Sequence, residues 1–168
     1  AGPHDLEWKT VNGGGGEIEI WYPGQNALGV TLIAEDGTTF GPVQPGNNLP
    51  IGSGSQVALF IINRVDDPNN HDNVVGVWLA PGLPGNKWTL RLSSLNGTAV
   101  PYHAWVERND NAQGSFVSPD QTHTLGSIST GQKSVVVASY DAHKPELPLS
   151  SFSSSGPTRD GRQKPEIA

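Results

Sequence analysis

The strongest constraint on this chain is a rhythm: short runs of alternating apolar and polar side chains, each closed by Gly, Pro, Asn or Asp, fill its first hundred or so residues. Residues 6–11 (LEWKTV) alternate. After the run Asn12-Gly13-Gly14-Gly15-Gly16, which reads as flexible, the alternation resumes in EIEIWY with Ile18, Ile20 and Tyr22 on one face. Leu28, Val30 and Leu32 make a third run, ending in Glu35-Asp36-Gly37-Thr38, where Asp-Gly is a hairpin signal. Residues 57–62 (VALFII) are apolar on both faces, as expected of a central strand covered on both sides. The runs 74–80 (VVGVWLA), 87–92 (KWTLRL) and 102–107 (YHAWVE) alternate again between turn residues such as Pro81-Gly82 and Asn96-Gly97. About seven strands are therefore expected, with no helical periodicity between them. That pattern predicts a mainly β chain, an antiparallel β-sandwich of jelly-roll type spanning 1–120.

Composition agrees. The 168 residues include 21 Gly and 14 Pro, against 35% hydrophobic residues, enough for one ordinary core held together by many tight turns. With no Cys, neither disulfides nor thiolate-bound zinc can brace the fold, and the redox compartment stays open. The net charge is −6 and the ten Lys and Arg are scattered, so a nucleic-acid partner is not expected. No apolar run reaches the roughly 18–20 residues that cross a bilayer, so no membrane partner is expected either. The absence of Met and the opening Ala1-Gly2-Pro3-His4 suggest that a longer polypeptide was cut or that a tag was removed.

After Asp110 the character changes. A polar segment (NAQGSFVSPDQTHT) leads to the continuous run Val135-Val136-Val137-Ala138, and then to Ser- and Pro-rich sequence. A β-branched run without alternation is expected inside a parallel sheet, covered on both faces by helices that this chain lacks. Taken as composition alone, the Ser-rich end would be a disordered terminus.

Its order says otherwise. Phe152-Ser153-Ser154-Ser155-Gly156-Pro157, Arg159-Asp160-Gly161-Arg162 and Lys164-Pro165-Glu166-Ile167-Ala168 resemble the segment that subtilisin-like serine proteases (subtilases) place before their nucleophile. The preceding Ser134-Val135-Val136-Val137-Ala138-Ser139-Tyr140-Asp141 resembles that family's sheet strand, with Ala138 and Ser139 departing mildly from the pattern. Together these motifs cover residues 124–168. Less specifically, Glu19-Ile20-Trp21-Tyr22, Asp66-Asp67-Pro68-Asn69-Asn70 and Tyr102-His103-Ala104-Trp105 resemble a jelly-roll insertion that some bacterial subtilases carry. The resemblance implies that 121–168 is a partial subtilisin-like α/β segment and that Gly-Thr-Ser-Met should follow Ala168. It implies partners in the remainder of the protease domain and in protein or peptide substrates, and an extracellular or cell-surface location.

Catalysis in that family needs an Asp and a His upstream and a Ser downstream. The chain contains no Asp-Ser-Gly, Asp-Thr-Gly, His-Gly or Gly-Thr-Ser-Met, so no catalytic residue is assigned to it and it should hydrolyse nothing alone. The five histidines (His4, His71, His103, His123, His143) stand isolated and are read as structural or surface residues. By the same resemblance Gly126 and Ser127 would fall at the floor of the first specificity pocket, where Gly leaves space for a large side chain; a simple turn before the strand explains Gly126 equally well. Asp66, Asp67, Asn69 and Asp72 are oxygen ligands of the kind calcium takes, but their spacing is not that of an EF-hand, and a solvated turn accounts for the same residues. Asn96-Gly97-Thr98 matches a glycosylation acceptor, a pattern common by chance.

The five tryptophans raise a second function, an independent carbohydrate- or protein-binding module. Trp8 and Trp88 fall in phase with the apolar face of their strands and are expected in the core. Trp21, Trp78 and Trp105 have the opposite phase; filling the second face of an inner strand is favoured over exposure to sugars. Cut from its parent sheet, the VVVA run should be disordered, extend the sandwich edge, or pair with a second copy as a homodimer.

Overall fold

The computed structural model describes residues 2–11, 13–107 and 114–168; Ala1, Asn12 and Asp110, where the polar segment begins, lie outside them. The chain divides into two compact units, Ala1–Ser118 and Pro119–Ala168. The first is a β-sandwich. Its strands are β1 (His4–Lys9), β2 (Gly16–Tyr22), β3 (Leu28–Ala34), β4 (Thr39–Val43), β5 (Asn48–Ser53), β6 (Gln56–Arg64), β7 (Asn73–Leu79), β8 (Lys87–Ser94), β9 (His103–Val106) and β10 (Ser115–Phe116). One sheet runs β10-β1-β8-β3-β4 and the other β5-β6-β7-β2-β9, with every pair of neighbours antiparallel.

The chain is thus mainly β, and its nesting of β1 with β8 and β2 with β7 is that of a jelly roll. A regular roll would next pair β3 with β6 and β4 with β5 across the fold. Here β3 turns directly into β4, and β5, β6 and β7 form a meander. The Asp36-Gly37 signal explains the first departure. Gly37 takes φ +86 and donates to Ala34 O at 2.9 Å, Asp36 Oδ1 accepts from the Thr38 amide at 2.8 Å, and the tight hairpin keeps β4 on the sheet of β3.

The alternating residues meet where the period-2 pattern sends them. Ile18, Ile20 and Tyr22 of β2, Val30 and Leu32 of β3, Leu59 and Ile61 of β6, Val75 and Val77 of β7, and Leu90 of β8 form a core from which water is excluded. Trp8 and Trp88 lie directly opposite each other on β1 and β8, both buried. The glycine run is not simply a spacer. A Cβ on Gly16 would stand 2.5 Å from the Trp8 ring, so the glycine makes room for the indole.

Three strands escape the alternation rule. β4 (TFGPV) and β5 (NLPIGS) carry Pro and Gly, which remove ladder donors and side-chain contacts, and both are edge strands, where such residues are tolerated. The two-residue β10 also lies at an edge. β6 is central in hydrogen bonding, but its second apolar face, Phe60 and Ile62, is half-buried on the outside of the sheet, with Phe60 level with Trp78 on one side and Pro50 on the other. Trp21, Trp78 and Trp105 share that outer face: Trp78 is 37% exposed and the other two are half-buried.

One polar residue ties the sheets together. Asn63, at the end of β6 and fully buried, accepts from the Tyr22 hydroxyl at 2.8 Å and donates to Leu28 O at 2.8 Å and Val43 O at 3.2 Å. Its own amide donates to Asn47 O at 2.9 Å. Burial pushes the Tyr22 phenol up, and the paired side chains satisfy each other in the low-dielectric interior.

The second unit is held differently. It contains a single 3-10 turn, Ser127–Thr130, and isolated bridges, Val137 with Ile167 in parallel and Tyr140 with Leu149 in antiparallel fashion. Its buried side chains are Thr158 and Lys164, with no apolar residue among them. No helix among the described residues is long and apolar enough to cross a membrane.

Candidate functional site

Two places carry the residues that the sequence singles out. The first is the loop between β6 and β7. Asp67 is buried; its carboxylate accepts from Arg64 at 2.7 Å and from the backbone and side-chain amides of Asn69, both at 3.0 Å. These donors, the Asn69 amide first, hold the Asp67 carboxyl below the usual range. Asp66 faces His71 at 2.8 Å, and its amide donates to Asn73 Oδ1 at 3.1 Å. The Asp72 amide donates to Asn70 Oδ1 at 3.1 Å. Side-chain oxygens of Asp67, Asn70 and Asn73 here cap backbone amides, and no group of three or more His, Cys, Asp or Glu among the described residues has metal-holding geometry. Of the four calcium candidates, Asp67 and Asn69 are bonded to each other, while Asp66 is turned to His71.

The second place is the unit 119–168. Gly126 precedes the 3-10 turn with φ −68 and ψ 160, a conformation open to any residue, and its carbonyl accepts from the Ser129 amide at 2.9 Å. An added Cβ there would meet nothing within 4 Å. The turn does not require glycine, and the absent side chain leaves empty space. Ser127 opens the turn, and its carbonyl accepts from Thr130 Oγ1 at 2.7 Å.

Residues that the sequence reading left without a role hold this segment in place. The Arg162 guanidinium donates to Thr130 O at 2.8 Å and to Asp160 Oδ2 at 2.8 Å, joining the 3-10 turn to the turn 158–162. Thr158 Oγ1 donates to Asp160 Oδ1 and accepts from the Arg162 amide at 3.0 Å. Arg162 and Thr158 together hold the Asp160 carboxyl down at about 2. Further on, the buried Lys164 ammonium donates to Ser134 O and to the Glu166 carboxylate, whose other oxygen accepts from the Val136 amide at 2.8 Å. The Ala138 amide donates to Ile167 O at 2.7 Å and the Glu166 amide to Val136 O at 3.1 Å, so the VVVA run pairs with the end of its own unit. The visible signal was the spacing of acid and base in RDGR and KPE, which short turns bring within reach.

The apolar side chains of this unit are left outside. Val135 and Val137 are exposed, and an open groove of about 320 Å³ is lined by Ala138, Leu149, Pro165 and Ile167 among others. One hydroxyl contacts an imidazole: Thr122 Oγ1 lies 2.8 Å from His123 Nδ1 and donates to Asp120 Oδ1 at 2.8 Å. Because the proton goes to the acid, this contact does not turn the hydroxyl into a nucleophile.

No protein-family model and no curated protein sequence matches the chain. Among solved structures, the chain is similar to the CspB protease of Clostridium perfringens, with a TM-score of 0.80 and 21% sequence identity. The similarity covers all of this chain and 36% of that one. At that identity the likeness is one of fold; it covers the residues of both units, and the chain spans about a third of that protein's length.

Proposed function

We propose that the chain is a non-catalytic portion of a subtilisin-like serine endopeptidase, in which residues 119–168 complete the catalytic domain and the sandwich shapes substrate access, recognition or stability. The observation that carries this reading is the inside-out character of the second unit. It buries no apolar side chain and exposes eight large ones, with Ile128 90% and Phe152 80% exposed. A segment with that distribution is stable as part of a larger core, which would cover the exposed surface. It is the same segment that resembles the strand and loop before the subtilase nucleophile, and the fold likeness to a protease extends across it.

In that role Gly126 would leave the floor of the first specificity pocket open, which suits a backbone that does not need glycine for its own conformation. Placed in an intact endopeptidase, Gly126→Val should lower kcat/KM for large side chains before the scissile bond at least tenfold and spare small ones. Unchanged preference would remove Gly126 from the pocket. The wider reading is tested by replacing residues 4–117 with a short linker in that intact polypeptide. Retained peptide hydrolysis with altered cleavage of protein substrates supports it; identical cleavage and identical thermal stability would sink it. The 168-residue chain by itself should release nothing from fluorogenic casein, and turnover blocked by a serine-directed phosphonate would contradict that expectation.

A further inference from the structure

The turn that holds Gly126 and Ser127 is closed by its own bonds and tied down at both ends. Inside it, the Ser129 amide donates to Gly126 O at 2.9 Å and Thr130 Oγ1 to Ser127 O at 2.7 Å. Upstream, the Thr124 amide donates to Ser155 O at 2.9 Å, and Thr124 Oγ1 accepts from the Ser155 amide at 2.8 Å. Downstream, Arg162 Nη2 donates to Thr130 O at 2.8 Å. Both tethers therefore run to one segment, 155–162. That segment is closely seated in turn: a Cβ on Gly156 would stand 2.0 Å from Lys164 O.

The two tethers differ in kind. The upstream one includes a backbone bond that does not depend on a side chain. The downstream one is a single side chain, and a relay sets its aim. Thr158, only 3% exposed, donates its hydroxyl to Asp160 Oδ1, and Asp160 Oδ2 accepts from Arg162 Nε at 2.8 Å. That bond fixes the plane of the guanidinium and with it the direction of Nη2. The carbonyl it meets belongs to the last residue of the 3-10 turn, which needs a partner from outside the turn. Arg offers donors at a rigid spacing, whereas a Lys ammonium is a point charge on a flexible stem and cannot hold carboxylate and carbonyl in the same fixed geometry.

We infer that Arg162 is a positioning residue for substrate selection: it sets where the Gly126–Ser127 backbone lies, and so the depth of the first specificity pocket, without touching substrate. The inference rests on the reading of Gly126 and Ser127 as the floor of that pocket. Gly126 adds no side chain and an added Cβ would meet nothing within 4 Å, so the position of the backbone decides how much room is left. A large side chain feels a small displacement of the floor; a small one does not reach it.

The test is peptide hydrolysis by the intact endopeptidase, with paired substrates that carry Phe or Ala before the scissile bond. Arg162→Lys should raise KM for the Phe substrate about tenfold, with kcat held within about twofold and the Ala substrate changed by less than about twofold. Arg162→Ala should act in the same direction, and millimolar guanidinium should return its KM toward the wild-type value, a rescue that a general loss of folding would not show. Asp160→Asn leaves Arg162 in place but weakens its aim, and should also impair the Phe substrate selectively; it decides the matter should Arg162→Ala fail to fold. Equal losses on both substrates, a change in kcat alone, or an unchanged KM in Arg162→Lys would overturn the proposal. Gly126→Val separates the two readings. If it shifts the preference for Phe over Ala and Arg162→Lys does not, the pocket stands and the positioning role falls; if neither shifts it, both fall.

Discussion

At the scale of single residues, the sandwich depends most on a side chain with little hydrophobicity. Asn63 meets Tyr22 from its own sheet and two carbonyls from the opposite one, at Leu28 and Val43. Removing it orphans three buried polar groups at once. Asn63→Ala should therefore cost about 3 kcal/mol, and Tyr22→Phe about 1–2 kcal/mol, in urea unfolding followed by tryptophan fluorescence. An effect below about 1 kcal/mol for Asn63→Ala would mean that water replaces the amide. The parity of the strand placed Asn63 inward with Leu59 and Ile61, but alternation says nothing of hydrogen-bond partners that lie 20 and 35 residues away. Asp160 offers a second residue-scale expectation. Its carboxyl is held at about 2, below the unfolded value, so the contribution of the turn 158–162 is intact above about pH 4 and is lost as pH falls through about 2. Carboxyl NMR should place the midpoint there, and Arg162→Ala should move it back up.

At the scale of elements, the strands that carry the core were legible because their period is visible, and those at the edges were not. β4 and β5 hold Gly41, Pro42, Pro50 and Gly52, the residues that otherwise signal loops, and their place at the ends of the two sheets is a tertiary fact. Phase also placed Trp8 and Trp88 correctly and gave Trp21, Trp78 and Trp105 the opposite parity. The favoured reading, that these three fill a covered second face, does not hold, because they stand half-buried or exposed on the outward face. What phase could not supply was whether another layer covers that face. The glycine run before β2 shows a different blind spot, since the requirement at Gly16 comes from an indole on the neighbouring element. Gly16→Ala should displace Trp8 and cost about 2 kcal/mol, with a shift in near-ultraviolet circular dichroism, whereas the same change at Gly13, where a Cβ meets nothing, should leave that signal in place.

At the scale of the whole molecule, the two units differ in what stabilises them. The sandwich has a closed apolar core; the second unit is joined by backbone bridges and by the Arg162 and Lys164 clusters. Hydrogen exchange should accordingly protect β2, β3, β7 and β8 most strongly and leave amides in 119–168 exchanging orders of magnitude faster. A chain ending at Asp120 should melt at nearly the same temperature, and loss of several degrees would show that the sandwich relies on the second unit. Light scattering on the two lengths reads association as well: dimers of the full chain that vanish at Asp120 place the contact on the exposed apolar side chains of the second unit, and dimers that persist place it on the sandwich. That the VVVA run lacks a covering layer was legible in its missing alternation, while its pairing with Glu166 and Ile167 of the same unit was not, because backbone partners so far along the chain leave no mark in the pattern.

The pairing of β1 with β10 carries one more meaning. Trp8 stands opposite Phe116 and Lys9 opposite Ser115, and the Val117 amide donates to Glu7 O at 2.9 Å, so the last strand of the sandwich runs beside the first. The first and last strands of the sandwich are hydrogen-bonded neighbours about 5 Å apart, so its two ends can be joined by a short linker and new ends opened in an exposed turn without separating either sheet.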